Sequence, residues 1–338
     1  MKFRAVTMHL PHSDAYPSYS DLLLKVSERL GSLSYRVVLR EPSDEVNLDL
    51  KAVHAGTGPS AFKRAWELLE RGYFTSVSLN HDCSSAELYR TAEFLFSISQ
   101  DLGPEYATMF GLSIGEVPES PYFPITRAES FGLSFSLLYP SDLYGPLTEA
   151  EEPSSVLSHA LSIIYREAHS MVEETLSDFN EDLPFLGIDF SLSPWMEESV
   201  AEVISLLART PFMGPGTAAA VSELNREIDE ASDGMRKIGF NEVMLPMAED
   251  DLLKEAASSL EFRARDLAML TPYCLAGLDM VVLPISIRRS ELAKLIADLI
   301  ASSCVKGRAL GLRVILADAE PGEEIELKRF GKVPVMML

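Results

Sequence analysis

Two stretches of strict apolar–polar alternation stand out along the chain. In Gly187-Ile188-Asp189-Phe190-Ser191-Leu192-Ser193, a period of two puts Asp189, Ser191 and Ser193 on one strand face and Ile188, Phe190 and Leu192 on the other. Residues 131–139 repeat the pattern, with Gly132, Ser134 and Ser136 opposite Phe131, Leu133, Phe135 and Leu137. A small polar face opposite an apolar one is unusual for a plain core strand. It suits a strand that lines a cavity inside a barrel. After Pro194 the pattern turns helical over 195–209, with Glu197, Glu198 and Glu202 in the first turns.

The rest of the chain alternates the same two periods. Strands are expected at 2–8, 35–39, 74–79, 106–114, 242–247, 278–284 and 312–317. Helices are expected over 18–30, 61–71, 86–102, 155–179, 218–231, 261–270 and 290–303, with Glu249, Asp250 and Asp251 capping a further helix after 247. Residues 9–12 read as a loop, 56–60 as a break, 140–153 as an acidic, proline-rich crossing and 325–338 as a tail. Strand–helix alternation is the βαβ pattern of a mostly parallel sheet or barrel. Nine or ten strands exceed a simple five-stranded sheet, so one α/β barrel domain over 1–338 is expected. Functional residues should then collect in loops at strand carboxyl ends.

Composition narrows the function classes. The 338 residues carry 51 Asp+Glu against 29 Lys+Arg, a formal charge of -22, which repels nucleic acid and anionic lipid. Neither nucleic acid nor a membrane is an expected partner; a small-molecule ligand and a second copy of the chain, as a dimer, are. The three cysteines (Cys83, Cys274 and Cys304) are scattered and have no metal-type spacing, which reads as a reducing compartment. Cys274, in apolar company, reads as a buried, inert thiol. The first residues carry no signal-peptide core, and no apolar run reaches the roughly 18 residues of a membrane span. A cytoplasmic location is expected. One Gln and five Asn hint at a thermophilic, archaeal source, while 13 Met point the other way.

Candidate chemistry clusters at the expected strand ends. Asp189, Ser191 and Ser193 could hold a polar ligand or ion, or the hydroxyls could cap the next helix. Gly214-Pro215-Gly216-Thr217 precedes a helix, so Gly216 and Thr217 could cradle an anion, or form a tight turn with a Thr cap. It is neither a Walker nor a dinucleotide motif. Glu249 and Asp250 could act as base or bind a hard cation, or serve the helix dipole. Asn80-His81-Asp82 offers an imidazole beside a carboxylate, against the commoner role of a hydrogen-bonded surface histidine. His9 and His12 could join His81 in a metal site, although the spacing is not a recognised ligand pattern. Asp279 opens the apolar strand near 278–284. No nucleotide, flavin or nucleophile-elbow motif is present; a divalent cation is permitted, and the identity of any cofactor or metal stays open.

These residues also carry a family resemblance. Residues 187–194, 198–202, 216–220, 245–250, 274–284, 312–315 and 333–336 resemble, in order and spacing, the uncharacterised family called domain of unknown function 711. The best match is Cys274-Leu275-Ala276-Gly277-Leu278-Asp279-Met280-Val281-Val282-Leu283-Pro284. The first half, which is shorter, resembles the family more weakly, through 3–8 and 118–140. The resemblance implies a barrel of about ten strands enclosing a central loop, similar to the pyruvate-formate-lyase-like glycyl radical enzyme fold. The radical motif expected near the C-terminus is replaced by Lys328-Arg329-Phe330-Gly331-Lys332-Val333, and paired cysteines are absent. Glycyl radical chemistry is therefore not expected. Family members carry a His-Gly-Thr-Thr run where this chain has Pro215-Gly216-Thr217-Ala218, which puts a shared activity in doubt.

The sequence thus points to a non-radical enzyme acting on a small polar metabolite in a central barrel pocket. Asp189, Glu249 and Asp250 are its expected catalytic groups. Ser191, Ser193, Gly216, Thr217, Asp279, Asn80 and His81 are its expected ligand contacts. The alternatives are a ligand-binding or regulatory barrel without catalysis, and a structural homo-oligomer.

Overall fold

The computed structural model describes residues 1–12, 16–179, 183–273 and 276–338. Cys274 lies outside them. In chain order the first half holds β1 (Lys2–Leu10), α1 (Tyr16–Leu30), β2 (Tyr35–Leu39), β3 (Lys51–Thr57), α2 (Pro59–Glu70), β4 (Phe74–Leu79), α3 (Ser85–Ser97), α4 (Pro104–Thr108) and β5 (Phe110–Ile114). The second half holds β6 (Gly132–Leu138), α5 (Pro140–Glu149), α6 (Ser154–Phe179), β7 (Phe185–Asp189), α7 (Val200–Ala208), α8 (Thr217–Ala231), α9 (Asp251–Ser258) and α10 (Ala264–Leu270). It ends with β8 (Gly277–Pro284), α11 (Arg289–Lys306), β9 (Leu310–Ala317), and a hairpin of β10 (Glu324–Leu327) and β11 (Gly331–Pro334).

Nine strands form one sheet in the order β7-β6-β1-β2-β3-β4-β5-β9-β8. Strands β1 to β5 run parallel to one another. β6 is antiparallel to β1, and β9 is antiparallel to β5. β7 is parallel to β6, and β8 to β9. The sheet therefore has two halves of opposite direction. Residues 236–244 close it as an irregular tenth stave. Ile188 N donates to Arg236 O at 2.9 Å, Met244 N to Leu192 O at 2.9 Å, and Ala276 N to Val243 O at 3.3 Å. The result is an α/β barrel of about ten staves. Farther along β8 the tail takes over its outer side, where Met336 N donates to Val282 O at 2.8 Å.

The alternation read from the sequence sorts inside from outside. Leu133, Phe135, Leu137, Ile188, Phe190 and Leu192 belong to the large apolar core outside the barrel wall. Each such side chain contributes on the order of 1.5–3 kcal/mol by leaving water. The inward positions are small or polar because a chain segment fills the barrel. Residues 115–131, between β5 and β6, thread the interior. There Pro121 O accepts from Thr7 Oγ1 at 3.5 Å and Arg36 Nη1 at 3.1 Å, and Ala128 O accepts from Arg40 Nε at 3.4 Å. Within the segment Val117, Tyr122 and Ile125 form, with Phe240, a second apolar cluster separate from the main core. Gly111 and Gly311 make room for it: a Cβ on Gly111 would sit 2.7 Å from Ile125 Cγ1, and one on Gly311 2.8 Å from Ile125 Cδ1.

Several sequence expectations need correction. Residues 9 and 10 extend β1 rather than start a loop; His9 is fully buried, 2.7 Å from Ser134 Oγ. Strand β3 was hidden by His54 and Gly56, which break its apolar run. The strand expected from 106 begins at 110, because Pro104 opens the short helix α4 first. The crossing expected at 140–153 contains α5, with Pro140 in the first turn and Leu143 and Leu147 buried one turn apart. The helix expected from 195 starts at 200 under a Ser199 cap, after Trp195 and Glu198 bond each other's backbone at 3.1 Å. The strand expected at 242–247 is not regular; only Val243 forms a bridge there.

Two predictions follow from a barrel packed around its own chain. Gly111→Val should lower stability by roughly 1–3 kcal/mol through overpacking, and Ile125→Ala should restore part of that loss in the double variant, as chemical denaturation would show; independent, additive effects would contradict the contact. Burial pushes the His9 imidazole down to about 4, against the opposing pull of Glu119. An unfolded histidine takes its proton near pH 6.5, so between about pH 6.5 and 4 the unfolded state binds a proton that folded His9 refuses. Stability should already fall below about pH 6.5, and His9→Gln should make that slope shallower; equal slopes would contradict it.

Candidate functional site

Two strand bulges aim charged side chains at one end of the barrel. The β1–β6 register shifts between Phe3 and Ala5. Phe3 faces the outer core, Ala5 pairs with inward Ser136, and the extra residue, Arg4, turns into the interior. The β8–β9 register shifts between Leu278 and Val281, with Met280 at φ 54°. This turns Asp279 towards Arg313. Bulges re-aim side chains in this way at many functional sites. Arg36 needs no bulge: its register partner is Thr7, whose hydroxyl faces the threaded segment.

The resulting cavity has a volume of about 310 Å³, at the low end for small-molecule sites. Its charged lining is Arg4, Arg36, Arg313 and Arg329 against Glu249 and Asp279. Arg4 and Arg313 are 6% and 5% exposed, and Glu249 is 6% exposed. Glu249 bridges both: Arg4 Nη2 donates to Oε2, and Arg313 Nη2 reaches Oε1 at 3.3 Å. Arg313 also forks onto Asp279, with Nε–Oδ1 at 2.6 Å and Nη2–Oδ2 at 2.7 Å. Arg4 further donates to Ser193 Oγ at 3.3 Å and to Pro194 O, and lies over the rings of Tyr122 and Trp195. The Tyr122 hydroxyl is 2.8 Å from Ser193 Oγ.

The other two guanidiniums are differently placed. Arg36 donates to Ser34 Oγ and Pro121 O, both at 3.1 Å, and lies over Phe123. Arg329 projects from the turn between β10 and β11 over Phe74. Among the described residues neither has a carboxylate within 4.0 Å. Burial pushes Arg36 down to about 9; Arg4 and Arg329 add to the shift, and Glu249 opposes it. Burial likewise lowers Arg329, aided by Arg313 and Arg4 and opposed by Glu249 and Asp49. Burial works to raise the Glu249 carboxyl, but Arg4 and Arg313 outweigh it and leave the group below its usual range.

The residues singled out from the sequence fall into four places. Ser193, Glu249 and Asp279 line this cavity. Asp189, Ser191 and Asp250 stand behind it as buried joints. Asp189 accepts from Ser191 N at 3.0 Å, Ser191 Oγ at 2.5 Å and Asn241 N at 3.1 Å on one oxygen. Phe240 N at 2.8 Å and Ser120 Oγ at 3.4 Å reach the other. Burial raises the Asp189 carboxyl and these hydrogen bonds pull it back. Asp189 thus replaces missing ladder bonds where residues 236–244 close the barrel, and Ser191 Oγ accepts from Glu242 N at 3.0 Å. Asp250 caps two helices at once: Val200 and Ala201 of α7 donate to one oxygen, Leu252 and Leu253 of α9 to the other. Gly216 and Thr217 start α8, which packs on α6 and α7 in the outer layer, away from the cavity. Asn80 and His81 line a separate open depression with His54, Ser78, Glu116 and Arg127. It lies at the carboxyl ends of β3–β5, whereas the cavity uses Arg4, Arg36 and Phe74 from the amino ends of β1, β2 and β4. There His81 Nε2 is 2.9 Å from Ser303 Oγ. Among the described residues no group of three or more His, Cys, Asp or Glu side chains is placed to hold a metal ion, and no helix is long and apolar enough to cross a membrane.

Sequence reasoning missed the four arginines and Tyr122. The available signal was an arginine inside each of three apolar strands: Lys2–Leu10, Tyr35–Leu39 and Leu310–Ala317. A charged residue there is costly unless it is paired or faces a site.

Residues 147–328 match the family described as "Uncharacterised ACR (DUF711)". A UPF0210 protein of Methanopyrus kandleri is 34% identical over 158 residues, covering 45% of this chain and 35% of the relative. One from Sulfurisphaera tokodaii is 26% identical over 254 residues, covering 70% of this chain and 56% of the relative. One from Lacticaseibacillus casei is 28% identical over 163 residues, covering 46% and 35%. The matches thus span from about a third to just over half of these relatives' length. They include archaea and bacteria, so they do not bear on a thermophilic archaeal source. Among solved structures, an anaerobic ribonucleotide reductase from Thermotoga maritima is similar at a TM-score of 0.36 and 11% identity, covering 82% of this chain and 53% of that one.

The Glu249 geometry makes a prediction with a sign. Its folded pKa lies below the unfolded value, so its stabilisation is full above about pH 4.3 and is lost as pH falls through the folded pKa. Glu249→Gln should cost roughly 3–5 kcal/mol at pH 7 by breaking a buried pair, and the gap from wild type should narrow below about pH 4 in urea titrations. A gap that is constant with pH would contradict the ionised bridge.

Proposed function

The chain belongs to the uncharacterised DUF711 family, and for this member we propose that the barrel is a ligand-binding module whose central cavity takes a small organic anion. The observation that carries this reading is the charge imbalance of the lining: four guanidiniums against two carboxylates, in a chain whose formal charge is -22. Gathering four guanidiniums against two carboxylates in a partly desolvated pocket is locally costly whatever the net charge of the molecule, and an anion offsets that cost. Aromatic walls from Tyr122, Trp195 and Phe330 suit an apolar body attached to the anion.

Binding is favoured over acid–base catalysis by how the ionisable groups are held. Glu249 is engaged by two arginines and sits below its usual range, which makes it a weak base. Asp279 is forked by Arg313. Burial, with Asp189 adding to it, pushes the Tyr122 hydroxyl up, which makes it a weak acid. Asp189 and Asp250 spend their oxygens on backbone amides.

Trp195 lines the cavity, while Trp66 belongs to α2 on the outside. In a Trp66→Phe background, benzoate should change Trp195 fluorescence saturably, and neutral, near-isosteric benzamide should not. An equal response to both, or no response to benzoate up to high millimolar concentration, would sink the proposal.

A further inference from the structure

Resting on that reading, we infer that the anion is a dianionic phosphoryl group, so that the ligand is a phosphate monoester with a compact, flat, apolar body. Arg4, Glu249, Arg313 and Asp279 form a continuous chain of ion pairs, two cations against two anions. This leaves Arg36 and Arg329, which among the described residues have no carboxylate within ion-pair distance. Two guanidiniums remain for the ligand to meet, Arg36 half-buried and Arg329 exposed at the solvent side with Asp49 acting on it, and a phosphate monoester carries about -1.5 to -2 at neutral pH. A single carboxylate would meet only one.

The two unanswered guanidiniums also share one locality. Each lines the same cavity, and each is close enough to Arg4 to feel its charge, as Arg36 is to Arg329. Like charges gathered this closely favour one compact dianion over two separated carboxylates. Arg4 itself is committed, its terminal nitrogens held by Ser193, Pro194 O and Glu249, so it adds charge to the locality and not a free terminal donor. A guanidinium fork presents two parallel N–H donors to two oxygens of a phosphoryl group at once, which explains arginine rather than lysine here. Size limits the rest of the ligand. A cavity of about 310 Å³ admits one ring or a short chain beside the phosphoryl group. Phe74, Phe123 and Phe330 supply flat apolar surface for it.

Isothermal titration of the full chain with phenyl phosphate, benzoate and phenol tests this. Phenyl phosphate should bind at least about 10-fold more tightly than benzoate, since benzoate leaves one guanidinium unanswered; phenol should give no heat. Arg329 stands on a hairpin turn outside the core, so Arg329→Met should keep the wild-type melting temperature. It should weaken phenyl phosphate roughly 10- to 100-fold while changing benzoate less. Arg36→Lys, which keeps the charge but not the fork, is the second variant and should also weaken phenyl phosphate. Equal affinity for phenyl phosphate and benzoate, or indifference of phenyl phosphate to both substitutions, would overturn the phosphoryl assignment while leaving an anion pocket standing. Absence of binding by either anion would overturn both.

Discussion

The structure depends on one packing constraint: the barrel is filled by residues 115–131 of its own chain. Most small barrels fill their interior with large side chains from the wall. Here the wall must retreat instead, which accounts for glycine and serine at the inward positions and for the close approach of Gly111 and Gly311 to Ile125. The threaded backbone brings its own polar groups into the interior. Serines, threonines and arginines of the wall answer them, as Arg36 and Thr7 answer Pro121 O. The apolar contribution is displaced outward, to the core between wall and helices.

The same constraint creates the cavity. Where the segment turns at residues 121–125 it leaves one end of the barrel unfilled, and that space is ringed by arginines. Two bulges, at Arg4 and at Asp279, bring charges inward that a regular strand would have pointed at the helices. Asp189 and Asp250 fix the frame around it. Asp189 ties β7 to the closing stave and to Ser120 of the threaded segment, and Asp250 holds two helix starts in one place. Each is buried with its lone pairs committed, which fits groups that position others rather than groups that react.

The alternations at 131–139 and 187–193 made the inside and outside of the barrel legible from sequence, because a buried strand keeps one face small and polar chiefly where that face lines an interior. Other parts were less legible. Strand β3 and helix α5 were obscured by locally contrary residues, Gly56 in one and two prolines in the other, that tertiary packing overrode. The closing stave was legible only as the expected strand at 242–247, since Phe240 and Asn241 send their amides to the Asp189 carboxylate and break a regular ladder. At the cavity, Ser193 and Glu249 were within reach of a strand-end rule and Asp279 stood out as a charge opening an apolar strand, but the arginines were not. Parity arguments assign Arg4 to the outer face with Val6, Met8 and Leu10, and only the bulge reverses it. Gly216 and Thr217 satisfied a local motif, and Asn80 and His81 a strand-end rule; pairing across the barrel put both elsewhere.

The most direct test of this account is a crystal structure grown with phenyl phosphate. Phosphoryl density is expected between Arg36 and Arg329, with the phenyl ring against the aromatic wall and the Arg4–Glu249–Arg313–Asp279 chain intact. Phosphoryl density at the outer α8 turn or the His81 depression, with the central cavity empty, would contradict it.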